Sequence, residues 1–113
     1  MRRADRLTSG ADFRRTYSAG RRTSTKAVVV HVNLTGEDRP PRLGVSAGKA
    51  IGGAVTRNQA KRRLREAASP LYSTLPRGAD VVLSATAAAP EMAYQDLVDS
   101  VRDAFGRIGA RRA

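Results

Sequence analysis

The sequence has no cysteine and no tryptophan, only two phenylalanines, three tyrosines and a single histidine, and about half as many acidic as basic side chains. Without thiols it can form neither disulfides nor thiolate metal sites, and one histidine, His31, cannot build a transition-metal cluster. No apolar run approaches the ~20 residues a bilayer-spanning helix requires, and the N-terminus lacks the apolar core of a secretory signal. A cytoplasmic protein with no membrane partner is therefore expected. No convincing nucleophile or pair of carboxylates stands out, and His31 acting as a general base would need a complementary acid or second base for hydrolysis.

What is abundant is arginine. Eighteen Arg and three Lys against ten acidic residues give 113 residues a formal net charge of +11. That imbalance favours a polyanionic partner, with nucleic acid ahead of a membrane surface. Arg suits planar, bidentate phosphate contacts, although a GC-rich genome produces the same bias. The length fits a single domain over residues 1–113 with one core.

The cations gather in residues 45–66, VSAGKAIGGAVTRNQAKRRLRE, where a glycine-punctuated loop runs into a basic helix. At 100° per residue, Asn58, Lys61, Arg62 and Arg65 fall within about 100° of one another, and Ala60, Leu64, Ala67 and Leu71 lie nearly opposite. A basic face of this kind is usually just solvated. Upstream, Ser9 and Asp12 predict the N-cap of a short helix carrying Phe13 and Tyr17, which Gly20 would end before an Arg21-Arg22 turn. Residues 26–34 read as a strand with Val28, Val30, Val32 and Leu34 on its more apolar face. Residues 35–41 read as a solvated, dispensable loop.

A second strand follows at Arg42 to Ala47, with Leu43, Val45 and Ala47 toward the core and Arg42, Gly44 and Ser46 on the more open side. Thr56 with Gln59 offers a capping box for the basic helix, though the helix can also start a turn earlier. Pro70 is expected to stop it near Ser69. Asp80 to Ala85 reads as a strand parallel to the second, and Pro90 as the opening of a helix with Tyr94, Leu97, Val98, Val101, Phe105 and Ile108 on its core side. Glu91, Asp96, Asp99 and Asp103 give that helix an acidic outer side, unsuited to RNA.

The stretch from Lys49 to Glu66 resembles the signature of the bacterial ribonuclease P protein component, K-x-x-G-x-A-V-x-R-N-x-x-K-R-x-x-R-E, at every fixed position. Most of the chain follows the same pattern, from Asp12-Phe13 through Arg42-Leu-Gly-Val-Ser to the last amphipathic helix. The resemblance implies an α+β fold, a single-layer mixed sheet with packed helices in the order α-β-β-β-α-β-α. It is ribosomal protein S5 domain 2-like, with a left-handed βαβ crossover. It also implies an accessory subunit of an endoribonuclease whose partners are ribonuclease P RNA and precursor tRNA, with no obligate protein partner. The catalytic centre and the Mg²⁺ ions would belong mainly to the RNA, which hydrolyses the phosphodiester to release the 5′ leader.

The family match turns the basic face into a docking surface. Arg57, Lys61, Arg62 and Arg65 are expected to contact phosphate and sugar of structured RNA, with Lys49 on the approach. Asn58 fits either an RNA contact or a bond that fixes the helix entry. On the open face of the sheet, Phe13, Tyr17, His31, Arg42 and Ser46 would line a groove for single-stranded RNA, with Arg21 and Arg22 at its mouth. The family places the 5′ leader in such a cleft, and His31 stands where relatives often carry an aromatic. Phe13 fits core packing as well as stacking. The terminal Arg2, Arg3, Arg6, Arg111 and Arg112 read as flexible counterions. Rivals are an rRNA-binding ribosomal or assembly protein, a self-sufficient nuclease using His31, and a helix-turn-helix DNA-binding protein, the last disfavoured because strands flank the basic helix.

Overall fold

A computed structural model of the protein describes residues 5–19 and 21–112, the last four by their backbone alone. Its elements are α1 (Gly10–Ser18), β1 (Arg21–Ser24), β2 (Val28–Leu34), β3 (Arg42–Ser46), α2 (Ala54–Ala68), β4 (Ala79–Ala85) and α3 (Tyr94–Arg112), the α-β-β-β-α-β-α order expected. The strands form one mixed sheet in the order β1-β2-β4-β3. β4 runs antiparallel to β2, from Val28↔Ala85 to Leu34↔Ala79, and parallel to β3, from Arg42↔Asp80 to Ser46↔Ser84. A parallel pair needs a long crossover, which α2 supplies.

Period-two patterning decides which face is which. Val28, Val30 and Val32 of β2 are buried, while Val29, His31 and Asn33 between them are half-buried. The first set joins Leu43, Val45, Val81 and Leu83 in a core closed by Leu64 and Ala67 of α2 and by Leu97, Val101 and Phe105 of α3. Helix α1 covers part of the opposite face, turning buried Asp12 and Thr16 toward the sheet. With helices on both sides, central β4 is buried from Ala79 through Leu83.

Several boundaries differ from the sequence expectation. Arg21 and Arg22 lie in the edge strand β1, paired with Val32 and His31, rather than in a turn. Gly20 lies outside the described residues; α1 has its C-cap at Ala19, in the right-handed region. α2 starts at Ala54 behind Gly53, the earlier of the two starts expected, so Thr56 lies inside the helix instead of capping it. Its end agrees with expectation: it stops at Ala68 with Ser69 as C-cap, and Pro70 sits at the start of a 3-10 segment, Ser69–Thr74. Pro90 belongs to a separate 3-10 turn, Ala89–Glu91, and Tyr94, where α3 begins, is 46% exposed rather than in the core. Ala47 lies beyond the end of β3 and is only half-buried.

The 35–41 loop is not a dispensable appendage. Thr35 Oγ1 donates to the Gly78 carbonyl at 2.6 Å, the Gly78 N–H to the Arg39 carbonyl at 2.7 Å, and the Tyr72 hydroxyl to the Pro41 carbonyl at 2.5 Å. Arg39 Nη2 reaches the buried Asp80 at 3.0 Å. The loop is thereby stitched to the start of β4.

Candidate nucleic-acid interface

Helix α2 separates its faces as its periodicity requires: Ala60, Leu64 and Ala67 are buried, while Asn58 and Arg62 are exposed and Arg57, Lys61 and Arg65 half-buried. Long cationic stems can lie along apolar surface while their charged heads reach water. Arg57, Asn58 and Lys61 line a depression of about 240 Å³ with Ala47 and Ala54. Arg65 lies in another of about 240 Å³ beside Arg6, Phe13 and Gly44. Arg62 turns the other way, into a groove shared with Gln59, Glu66 and Met92. Lys49, exposed in the 3-10 turn Lys49–Ile51, leads up to the helix.

Ion pairing divides the cations of the protein. Arg15, Arg39, Arg42, Arg77, Arg102 and Arg107 each hold a carboxylate. Among the described residues, Arg57, Lys61, Arg62 and Arg65 form no ion pair. Burial and then the neighbouring Arg6 lower the affinity of Arg65 for its proton, although a guanidinium stays charged at neutral pH. Arg63, in the same basic run, has a different job: it donates to the carbonyls of Ala89, Pro90 and Met92 and fastens α2 to the turn before α3.

The second group gathers where α1 crosses the sheet. Phe13 lies against Gly44, Tyr17 is 40% exposed, and their ring centroids are 6.3 Å apart. Tyr17 meets His31 edge to face at 4.9 Å, and its hydroxyl lies 3.2 Å from Ser46 Oγ, which in turn lies 2.9 Å from Ser84 Oγ. Burial first and Arg22 second push the His31 pKa down from 6.5, so the imidazole is neutral at pH 7. Its Nδ1 is buried and has no hydrogen-bond partner among the described residues.

Two of the expected cleft residues are placed differently. Successive residues of a strand face opposite ways. Arg22, paired with His31, lies on the α1 side of the sheet, whereas Arg21, paired with Val32, lies on the α3 side near Ile108. Arg42 is on the cleft face, but its guanidinium is bound to Asp80 and Asp12, so it does not stand there as a free cation.

Sequence reasoning missed Asp80 and Arg6. An acidic residue inside DVVLSA was itself a signal, because a carboxylate in a strand buried on both faces requires partners. Arg6, expected to be a flexible terminal counterion, instead forms a parallel bridge to Leu43 of β3 and so reaches Arg65; Arg2 and Arg3 lie outside the described residues. Among the described residues no group of three or more histidine and acidic side chains could hold a metal ion. None of the described helices is long and apolar enough to cross a membrane.

Residues 1–109 match the family described as Ribonuclease P. The ribonuclease P protein component of Symbiobacterium thermophilum is 40% identical over 109 residues, covering 96% of this chain and 95% of its own. That of Bacillus cereus strain AH187 is 33% identical over 113 residues, covering 99% and 97%. Among solved structures, a Staphylococcus aureus RNase P protein mutant with defective mRNA degradation activity superposes with a TM-score of 0.78 at 31% identity, over 93% of this chain and 88% of that one. The RNase P protein of Thermotoga maritima gives 0.77 at 24% identity, over 90% and 96%, a likeness of fold.

Proposed function

The chain belongs to the ribonuclease P protein family, and we propose that it serves as the protein subunit that docks on the catalytic RNA and holds the 5′ leader of precursor tRNA. The observation that carries this reading is the cationic face of α2, whose Arg57, Lys61, Arg62 and Arg65 form no ion pair among the described residues. Arg57, Lys61, Arg62 and Arg65, approached by Lys49, take phosphates of the RNA subunit, and Asn58 lies beside them. Phosphate contacts of this type supply affinity and register without reading base identity.

The aromatic pair of α1 takes the leader. Tyr17, with His31 and Ser46 beside it, offers ring faces and hydroxyls to unpaired bases, with Phe13 next along the helix and Arg22 at the strand edge for the backbone. Mg²⁺, held mainly by the RNA, would supply the activation of water. The protein screens phosphate repulsion and restrains the substrate, which is catalysis by positioning. The family match favours this role over that of a ribosomal protein.

The test is the salt dependence of binding to a ribonuclease P RNA. Changing Arg57, Lys61, Arg62 and Arg65 together to Ala is expected to reduce the slope of log K against log salt by roughly 3, at about 0.7–0.9 for each phosphate no longer neutralised. An unchanged slope and affinity would place the docking surface elsewhere.

A further inference from the structure

Asp80 is the second residue of β4, and its side chain is 2% exposed. A carboxylate so deep in the fold must be fully satisfied. Oδ1 accepts from Arg39 Nη2 at 3.0 Å and Arg42 Nε at 2.9 Å, and Oδ2 accepts from Arg42 Nη2 at 2.8 Å. The remaining nitrogen of Arg42, Nη1, lies 3.2 Å from Oδ2 of Asp12 on α1. Asp12 also pairs with Arg15, and its N–H is capped by Ser9. A continuous strut thus runs from central β4 through Arg42 to α1. Four residues past Phe13, the contacts of Tyr17 with Ser46 and of Ser46 with Ser84 tie the same helix down again.

We propose that Asp80 and Arg42 are positioning residues for leader binding, fixing the height and tilt of α1 over the sheet and so the placement of Phe13 and Tyr17. This rests on the leader-cleft reading above. Arg42 can do it because its planar fork presents three nitrogens to two carboxylates at once, a geometry lysine cannot reproduce. The two carboxylates also balance its charge, so it adds little to the attraction for phosphate. The alternative, a cation in direct contact with the leader, predicts the opposite sign: neutralising Asp80 would free Arg42 and tighten binding.

Holoenzyme assembled with a ribonuclease P RNA is titrated with precursor tRNA and with mature tRNA lacking the leader, and the ratio of the two affinities isolates the leader's share. Asp80→Asn and Asp12→Asn are expected to lower that ratio by roughly 5- to 30-fold, the weight of one misplaced stacked base, although each removes a negative charge. Arg42→Lys is expected to lose as much, and mature tRNA to bind within about twofold of wild type. If Asp80→Asn fails to fold, Asp12→Asn, which cuts the strut at its outer end, decides.

A ratio that is unchanged or raised in the Asn variants while Phe13→Ala lowers it would overturn the strut and leave the cleft standing. The same holds if Arg42→Lys matches wild type. Equal losses for both tRNAs would reduce the network to general stability. If Phe13→Ala and Tyr17→Ala also leave the ratio unchanged, the cleft itself is wrong, and the strut falls with it.

Discussion

Gly44 sits directly beneath Phe13, so a methyl group added there would come within 2.6 Å of the ring's Cζ and 3.1 Å of the Leu7 carbonyl oxygen. Gly44→Ala is expected to cost about 1–3 kcal/mol in denaturant unfolding, since the ring or the strand must give way. A loss within error of zero would mean that the ring lies elsewhere. Gly78 is held harder: its φ is +76°, and a Cβ would lie 2.3 Å from the Glu37 carbonyl oxygen. His31 adds a pH dependence. Its folded pKa lies below 6.5 through burial and then Arg22, so the unfolded chain binds the proton more readily. The stability it contributes is complete above about pH 6.5 and is lost as pH falls through the lower folded value. Unfolding midpoints from pH 7 to 5 should therefore decline less steeply in His31→Gln than in the parent; equal slopes would contradict the assignment. The alternation of β2 made the orientation of His31 legible in the sequence. The cover over Gly44 was not, because it depends on where a distant helix comes to rest.

The basic helix was the most legible element, because one 15-residue segment carries both its apolar stripe and its cations. Even so, side-chain type did not separate Arg62 from Arg63. Arg62 faces an open groove, whereas Arg63 reaches three backbone carbonyls some 26 to 29 residues away. The pair predicts a double dissociation. Arg63→Ala is expected to lower stability by about 1.5–3 kcal/mol through the loss of charge-assisted bonds, with the salt slope of RNA binding unchanged. Arg62→Ala is expected to reduce that slope by nearly 1 while unfolding as wild type does. Identical behaviour of the two variants in either assay would contradict this division. Strand β1 escaped sequence reasoning because RRTS has neither length nor apolar alternation; its pairing is enforced by β2, which supplies the register. The late start of α3 was hidden because Pro90 opens a 3-10 turn as readily as an α-helix.

Across the whole molecule, a formal net charge of +11 on 113 residues is distributed unevenly. The outer side of α3 carries exposed Asp96, Asp99 and Asp103, with exposed Glu91 in the turn before it, partly offset by Arg102 and Arg107, while Arg57, Lys61, Arg62 and Arg65 form no ion pair among the described residues. Anions that bind only the native state should therefore raise the melting temperature, sulfate and phosphate above chloride at matched ionic strength, and the α2 quadruple Ala variant should lose most of that gain. On the proposed reading, this polypeptide organises an RNA catalyst and does not cleave by itself. The most direct measurement is cleavage of precursor tRNA at low magnesium with the purified chain, a ribonuclease P RNA, or both. Leader removal is expected only when the two are combined, and it should fall sharply with the α2 quadruple variant. Cleavage by the protein alone, or full rescue by that variant at the same salt, would contradict the account.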